Sequence, residues 1–144
     1  MAQTATNRYK FMLATGAIVP GTTDLRMGLL KTLAAHTNVP DLNFVSEMEA
    51  HADFAELTAA GYARVALTGE AGSEVDASDW ALIDCDDVAF GALTAGETIV
   101  GWFVFKEGAS DAAREVLMIG DLTSTPTNGG TVTVNTPDGI TKLT

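Results

Sequence analysis

Residues Thr98–Lys106 read TIVGWFVFK, nine residues that are apolar on both alternating faces. Ile99, Phe103 and Phe105 fall on one side of an extended chain, and Val100, Trp102 and Val104 on the other. β-Branched and aromatic residues at this density favour a strand over a helix. A strand in an antiparallel sheet with one wet face should alternate apolar with polar. This one therefore sits centrally, covered on its second side by a loop or helix, or that side meets another subunit.

The flanking segments have the same character. Val88–Phe90, Glu115–Leu122 (EVLMIGDL) and Thr131–Asn135 (TVTVN) are short apolar runs, with Val132 and Val134 on one face. Asn128-Gly129-Gly130 and Pro137-Asp138-Gly139 are turn signals, and Ile140–Leu143 is placed to close the sheet. Upstream, Asp24–Leu33 reads as a strand with Leu25, Met27 and Leu29 on one face. Gly61–Thr68 and Trp80–Cys85 are further strands, and Gly69–Asp79 reads as a long acidic loop. Leu42, Val45 and Met48 recur at helical spacing, which predicts one short helix over Asp41–Ala50 with Asp41 as its N-cap. Arg8–Leu13 is an apolar patch of one or two helical turns ended by Gly16, and residues 1–7 read as a flexible N-terminal tail. The sum is a single all-β domain over residues 1–144. It is an antiparallel β-sandwich or flattened barrel of about seven or eight short strands with one short helix.

Composition narrows the function. The chain has 144 residues, 47% hydrophobic and 19% charged, enough for one domain with a substantial core. Eight basic against nineteen acidic residues give a net charge of −11. Such a field repels phosphate backbones, so nucleic acid is not an expected partner. No apolar run approaches the length of a membrane span, and no segment has the layout of a signal peptide. The lone cysteine, Cys85, excludes an internal disulfide and reads as a buried structural thiol.

No chemical motif emerges. His36 and His51 are too far apart for a zinc pair on one helix face, and there is no Cys-x-x-Cys. There is no G-x-S-x-G elbow, phosphate-cradling loop or dinucleotide fingerprint. An enzyme is not expected, and no cofactor is. Asp76, Asp79, Asp84, Asp86 and Asp87 form an acidic group around the ends of two short strands, and hard oxygens at such density suit calcium. Their spacing matches no EF-hand loop, and a solvated turn is the stronger reading. Trp80, Phe90, Trp102, Phe103 and Phe105 read as core residues in preference to a sugar-stacking platform.

Five segments together resemble a family of small virion structural proteins of tailed bacteriophages. They are Thr23–Thr32 (TDLRMGLLKT), Leu57–Leu67 (LTAAGYARVAL), Asp84–Gly108, Val116–Leu122 and the ending Thr131–Thr144 (TVTVNTPDGITKLT). Gly61-Tyr62 keeps a turn of that family, Lys106-Glu107 fills another, and Gly139-Ile140 with Leu143-Thr144 keeps the ending. Phe90 stands where tryptophan is usual, Asn135 lies near the place of a missing C-terminal tryptophan, and Asp41–Ala50 is an insert. The resemblance implies a non-enzymatic virion component assembled in the host cytoplasm. It would be a head decoration (minor capsid) protein that binds and stabilises the capsid exterior, or alternatively a tail-associated tail-tip or fibre module. The implied partners are the major capsid protein, further copies of the chain, or both. The apolar candidates for the contact are Tyr9, Phe11, Met12 and Leu13 near the N-terminus, Leu42, Val45 and Met48 on the expected helix, and Val100, Trp102 and Val104 on the central strand.

Overall fold

The structure, a computed structural model, describes residues 2–76, 80–135 and 141–143. The TIVGWFVFK segment is strand β8 (Thr98–Lys106), and it is central as its two apolar faces require. It pairs on one side with β2 (Leu25–Leu33) and on the other with β9 (Glu115–Pro126), both antiparallel. β1 (Gln3–Ala5) extends the sheet beyond β9, while β3 (Phe54–Glu56) and β4 (Val65–Ala66) share the outer edge of β2. Two small antiparallel sheets complete the β structure. β7 (Val88–Phe90) pairs with β10 (Val132–Val134), and β6 (Trp80–Asp84) lies between β5 (Ala71–Val75) and β11 (Thr141–Leu143). The chain is thus all-β, with the helices α1 (Asn7–Ala14) and α2 (Val45–Ala50) packed on the large sheet.

Both faces of β8 are covered within the chain. Trp102 and Val104 join a cluster with Met27 and Leu29 of β2, Tyr9 and Met12 of α1, Ile83 of β6, Phe90 of β7 and Val134 of β10. Phe103 and Phe105 join a second cluster with Leu30, Phe54, Leu42, Val45 and Met48. The large sheet therefore has the small sheets and α1 on one face and the α2 segment on the other. Each fully buried large side chain contributes about 1.5–3 kcal/mol, so these clusters dominate stability.

Two irregularities shift the alternation. Val104 pairs with Met118 but Phe105 with Val116, so β9 carries one extra residue, and Leu117 and Met118 both enter the first cluster. A second shift lies between Ile99 and Gly101, and Ile99 packs with Trp102 instead of with Phe103 and Phe105 as alternation predicts. Glycine admits close approach at two sheet positions. A Cβ on Gly120 would lie 2.3 Å from the Trp102 ring, and one on Gly28 would lie 2.3 Å from the Phe103 ring.

Several segments differ from the sequence reading. Residues 3–5 are not a loose tail, because they pair with Met118–Gly120 and deliver Thr6 to cap α1. Thr6 is fully buried, and its hydroxyl also donates to the Val116 carbonyl. The expected Asp41–Ala50 helix divides into a 3₁₀ turn, Val39–Asp41, and α2. Asp41 does not cap α2; the Glu47 carboxylate turns back to accept from the Asn43 and Phe44 backbone N–H groups. The acidic stretch read as a loop holds β5, and the Gly61–Thr68 strand shrinks to Val65–Ala66. The Pro137-Asp138-Gly139 turn and the Ile140 and Thr144 ends of the closing segment lie outside the described residues.

Candidate functional site

The apolar contact candidates separate into two kinds. Tyr9, Met12, Leu42, Val45, Met48, Trp102 and Val104 are all buried in the chain's own clusters. They are core residues, which corrects their reading as a free surface. Helix and small sheets already fill the places a second subunit would take. Leu13 packs against the first cluster, and Val100 is half-buried. Phe11 is different: it is 59% exposed on α1, whose opposite side is anchored by Tyr9 and Met12. Val19, 49% exposed on the segment after α1, is the other large apolar side chain left in solvent among the described residues. The Arg8 guanidinium lies 5.9 Å from the Phe11 ring centroid and keeps its own ion pair with Glu115. At an exposed site such a contact is worth about 0.5–1 kcal/mol.

Most basic side chains are committed to internal ion pairs. Glu115 receives both Arg8 and Lys106, and Lys31 bonds Glu97 at 2.7 Å. A longer chain of charges runs from Arg26 to Glu107, Arg114, Asp111 and Arg64, and ends on Glu56 and Glu49. Arg64 and Arg114 lie over the Phe105 ring at 5.2 and 6.0 Å, so the network roofs the second cluster. Arg64 hydrogen bonds to Glu56 raise its pKa further above the ordinary arginine value. The Arg64 bond also holds Asp111 below the usual carboxylate range, with Arg114 assisting. Burial, then a bond shared with Glu56, pushes Glu49 up. Tyr62 is also pushed up, first by burial and then by Glu56. It stays protonated, donating to Glu56 at 2.5 Å and accepting the Leu29 N–H at 3.0 Å. That acceptance satisfies β2 in the gap between β3 and β4.

Thr4, His36 and Asp121 form a relay. The Thr4 hydroxyl lies 3.0 Å from His36 Nδ1, and His36 Nε2 lies 2.6 Å from Asp121 Oδ1. A hydroxyl, an imidazole and a carboxylate in this order have the connectivity of a nucleophilic triad. Here they join three pieces of backbone: β1, the segment after β2, and β9. The relay pins the N-terminal strand.

The acidic group does not converge. Asp84 accepts from the Cys85 N–H, and Asp86 accepts from the Thr68 hydroxyl at 2.9 Å. Asp76 is exposed, as is Asp87, and Asp79 lies outside the described residues. Among the described residues no three His, Cys, Asp or Glu side chains come together as a metal site. Cys85 is buried, as its neighbours predict. The sequence reading missed the Arg64 network because local spacing does not show that α2, β3 and the segment before β9 converge on it. It also missed a simpler signal: between Arg64 and Lys106 there are eight acidic residues and no Lys, Arg or His.

No helix among the described residues is long and apolar enough to cross a membrane. Comparison with protein-family models, with curated proteins and with solved structures finds no match to this chain.

Proposed function

We propose that this chain is a non-enzymatic structural protein of a tailed-phage virion, a head decoration protein that attaches to the outside of an assembled coat lattice. The observation that carries the reading is Phe11, an aromatic side chain presented to solvent from a helix anchored by Tyr9 and Met12. An exposed aromatic on a rigid base is what a binding hot spot requires. The rest of the molecule suits the role. Two internally filled clusters make a unit that folds alone, and net charge −11 keeps copies apart in solution before they meet the lattice. Phe11 and Val19 cover only part of the roughly 1,600 Å² of a standard interface. Repetition around a particle compensates for weak single contacts by avidity.

The test is rebinding. Purified chain is added to capsids stripped of their minor proteins, and separately to host envelopes. Binding to capsids that is lost in Phe11→Asp supports the reading. Binding to envelopes with none to capsids overturns it in favour of a tail-associated module.

A further inference from the structure

We propose that the outer edge of β5 accepts an extended, Lys/Arg-rich segment of another protein as an added antiparallel or parallel strand. This does not depend on the virion reading. β5 is the terminal strand of its sheet, and among the described residues nothing pairs with its outer side. Ala71, Gly72, Ser73 and Glu74 are all exposed. Small side chains leave the edge sterically open, and an unpaired row of N–H and C=O groups is a template for strand addition. The edge is held in place from behind: β6 pairs with β5 along all five residues, and Ile83 of β6 is buried in the first cluster.

Charge selects the occupant. Glu70, Glu74 and Asp76 flank or occupy the strand, and Asp84 stands opposite Ala71 on β6. No Lys, Arg or His occurs between Arg64 and Lys106, and the cation of this sheet, Lys142 on β11, is separated from β5 by β6, so the strand and its flanks carry only negative charge. A second copy is disfavoured in the symmetric antiparallel registers centred on the middle three residues of the strand, Gly72, Ser73 and Glu74. Centred on Ser73, Glu70 would face Asp76; centred on Gly72, Glu70 would face Glu74; centred on Glu74, the two glutamates would meet. Like charges directly opposite destabilise a strand pair. An extended segment with basic residues on one face meets the same positions with opposite sign.

The probe is a short synthetic peptide alternating lysine with threonine, titrated against the full chain by fluorescence anisotropy. Saturable binding that weakens about tenfold when salt rises from low to physiological concentration is expected. Methylating every second backbone nitrogen of the peptide, in either phase, removes strand-forming donors but keeps the charge. Loss of binding in one phase supports strand addition. Equal binding in both phases, or none by the unmethylated peptide, overturns it. In a strand, neighbouring residues turn their N–H groups to opposite edges, so one of Gly72→Pro and Ser73→Pro blocks the outer edge while sparing the pairing with β6. The variant that keeps the melting midpoint should lose the peptide, and unchanged binding there refutes the proposal. If neither variant folds, the doubly reversed E70K/E74K chain decides: it should reject the lysine peptide and take a glutamate–threonine one. Continued preference for the lysine peptide would sink the idea.

Discussion

The Arg64 guanidinium holds the Glu56 carboxylate side-on, with Nε 2.8 Å from Oε1 and Nη2 2.6 Å from Oε2. Both side chains are largely buried, and the same guanidinium reaches Asp111 and Glu49 while lying over Phe105. Arg64 thus bonds three carboxylates at once and, with Arg114 sharing Asp111, offsets part of the cost of bringing them together. Arg64→Met should destabilise the fold by about 2–3 kcal/mol, because it strands carboxylates at a partly buried site. Arg64→Lys should recover only part of that loss, since an ammonium cannot reproduce the fork. Urea unfolding followed by tryptophan fluorescence measures both.

Acid sensitivity follows from Glu97. Its bonds from Lys31 and Thr58 hold its pKa down to about 2. A carboxyl lowered on folding adds stability above its unfolded value, near 4.5, and loses it as pH falls towards 2. Asp111 acts in the same direction, so the melting midpoint should fall steadily from about pH 5 downward. Glu97→Gln should lower the midpoint at pH 7 and flatten its slope below pH 5. An unchanged slope would show that other groups control acid unfolding.

Glu49 works with the opposite sign. A carboxyl raised on folding favours the folded state at low pH, and that contribution is lost as pH rises through its folded value. Glu49→Gln keeps the shape and removes the charge. At pH 7 it should leave the melting midpoint unchanged or raise it, despite the loss of one bond to Arg64. A marked fall would mean that the bond outweighs the crowding of carboxylates.

Gly120 is required by its neighbour. A methyl group there would meet the Trp102 ring at 2.3 Å, and that ring is 1% exposed in the middle of the first cluster. Trp102 Nε1 finds no hydrogen-bond partner among the described residues, so the ring is fixed by packing. Gly120→Ala should cost about 2–3 kcal/mol by overpacking and shift the tryptophan emission.

The Thr4–His36–Asp121 relay separates structure from catalysis. His36→Ala should speed hydrogen exchange at the β1 amides while lowering global stability by about 1 kcal/mol, as expected for the loss of two side-chain hydrogen bonds. A fluorophosphonate probe should leave Thr4 unmodified. Stoichiometric labelling at Thr4, lost in His36→Ala, would reveal an acyl-transfer site and reopen the enzyme question.

Much of the fold was written in local patterns. TIVGWFVFK specifies a strand covered on both sides, and LRMGLLKTL places Leu25, Met27 and Leu29 on the face they occupy. Turn residues mark the ends of β7 and β10. The contact surface is less legible. An apolar residue reads the same whether its cover comes from its own chain or from another. Tyr9, Met12 and Trp102 were therefore indistinguishable from Phe11 until the packing was known.

What the sequence alone determined is the class of the molecule: all-β, acidic, with one central apolar strand. Alternation and net charge are properties of neighbouring residues and of sums, and both survive without coordinates. Tertiary structure decided which apolar side chains remain outside, how Arg64 gathers carboxylates from α2, β3 and the segment before β9, and that β5 ends its sheet. Those are facts of long-range pairing, where free energy depends on which segments meet, and local spacing carries no record of that.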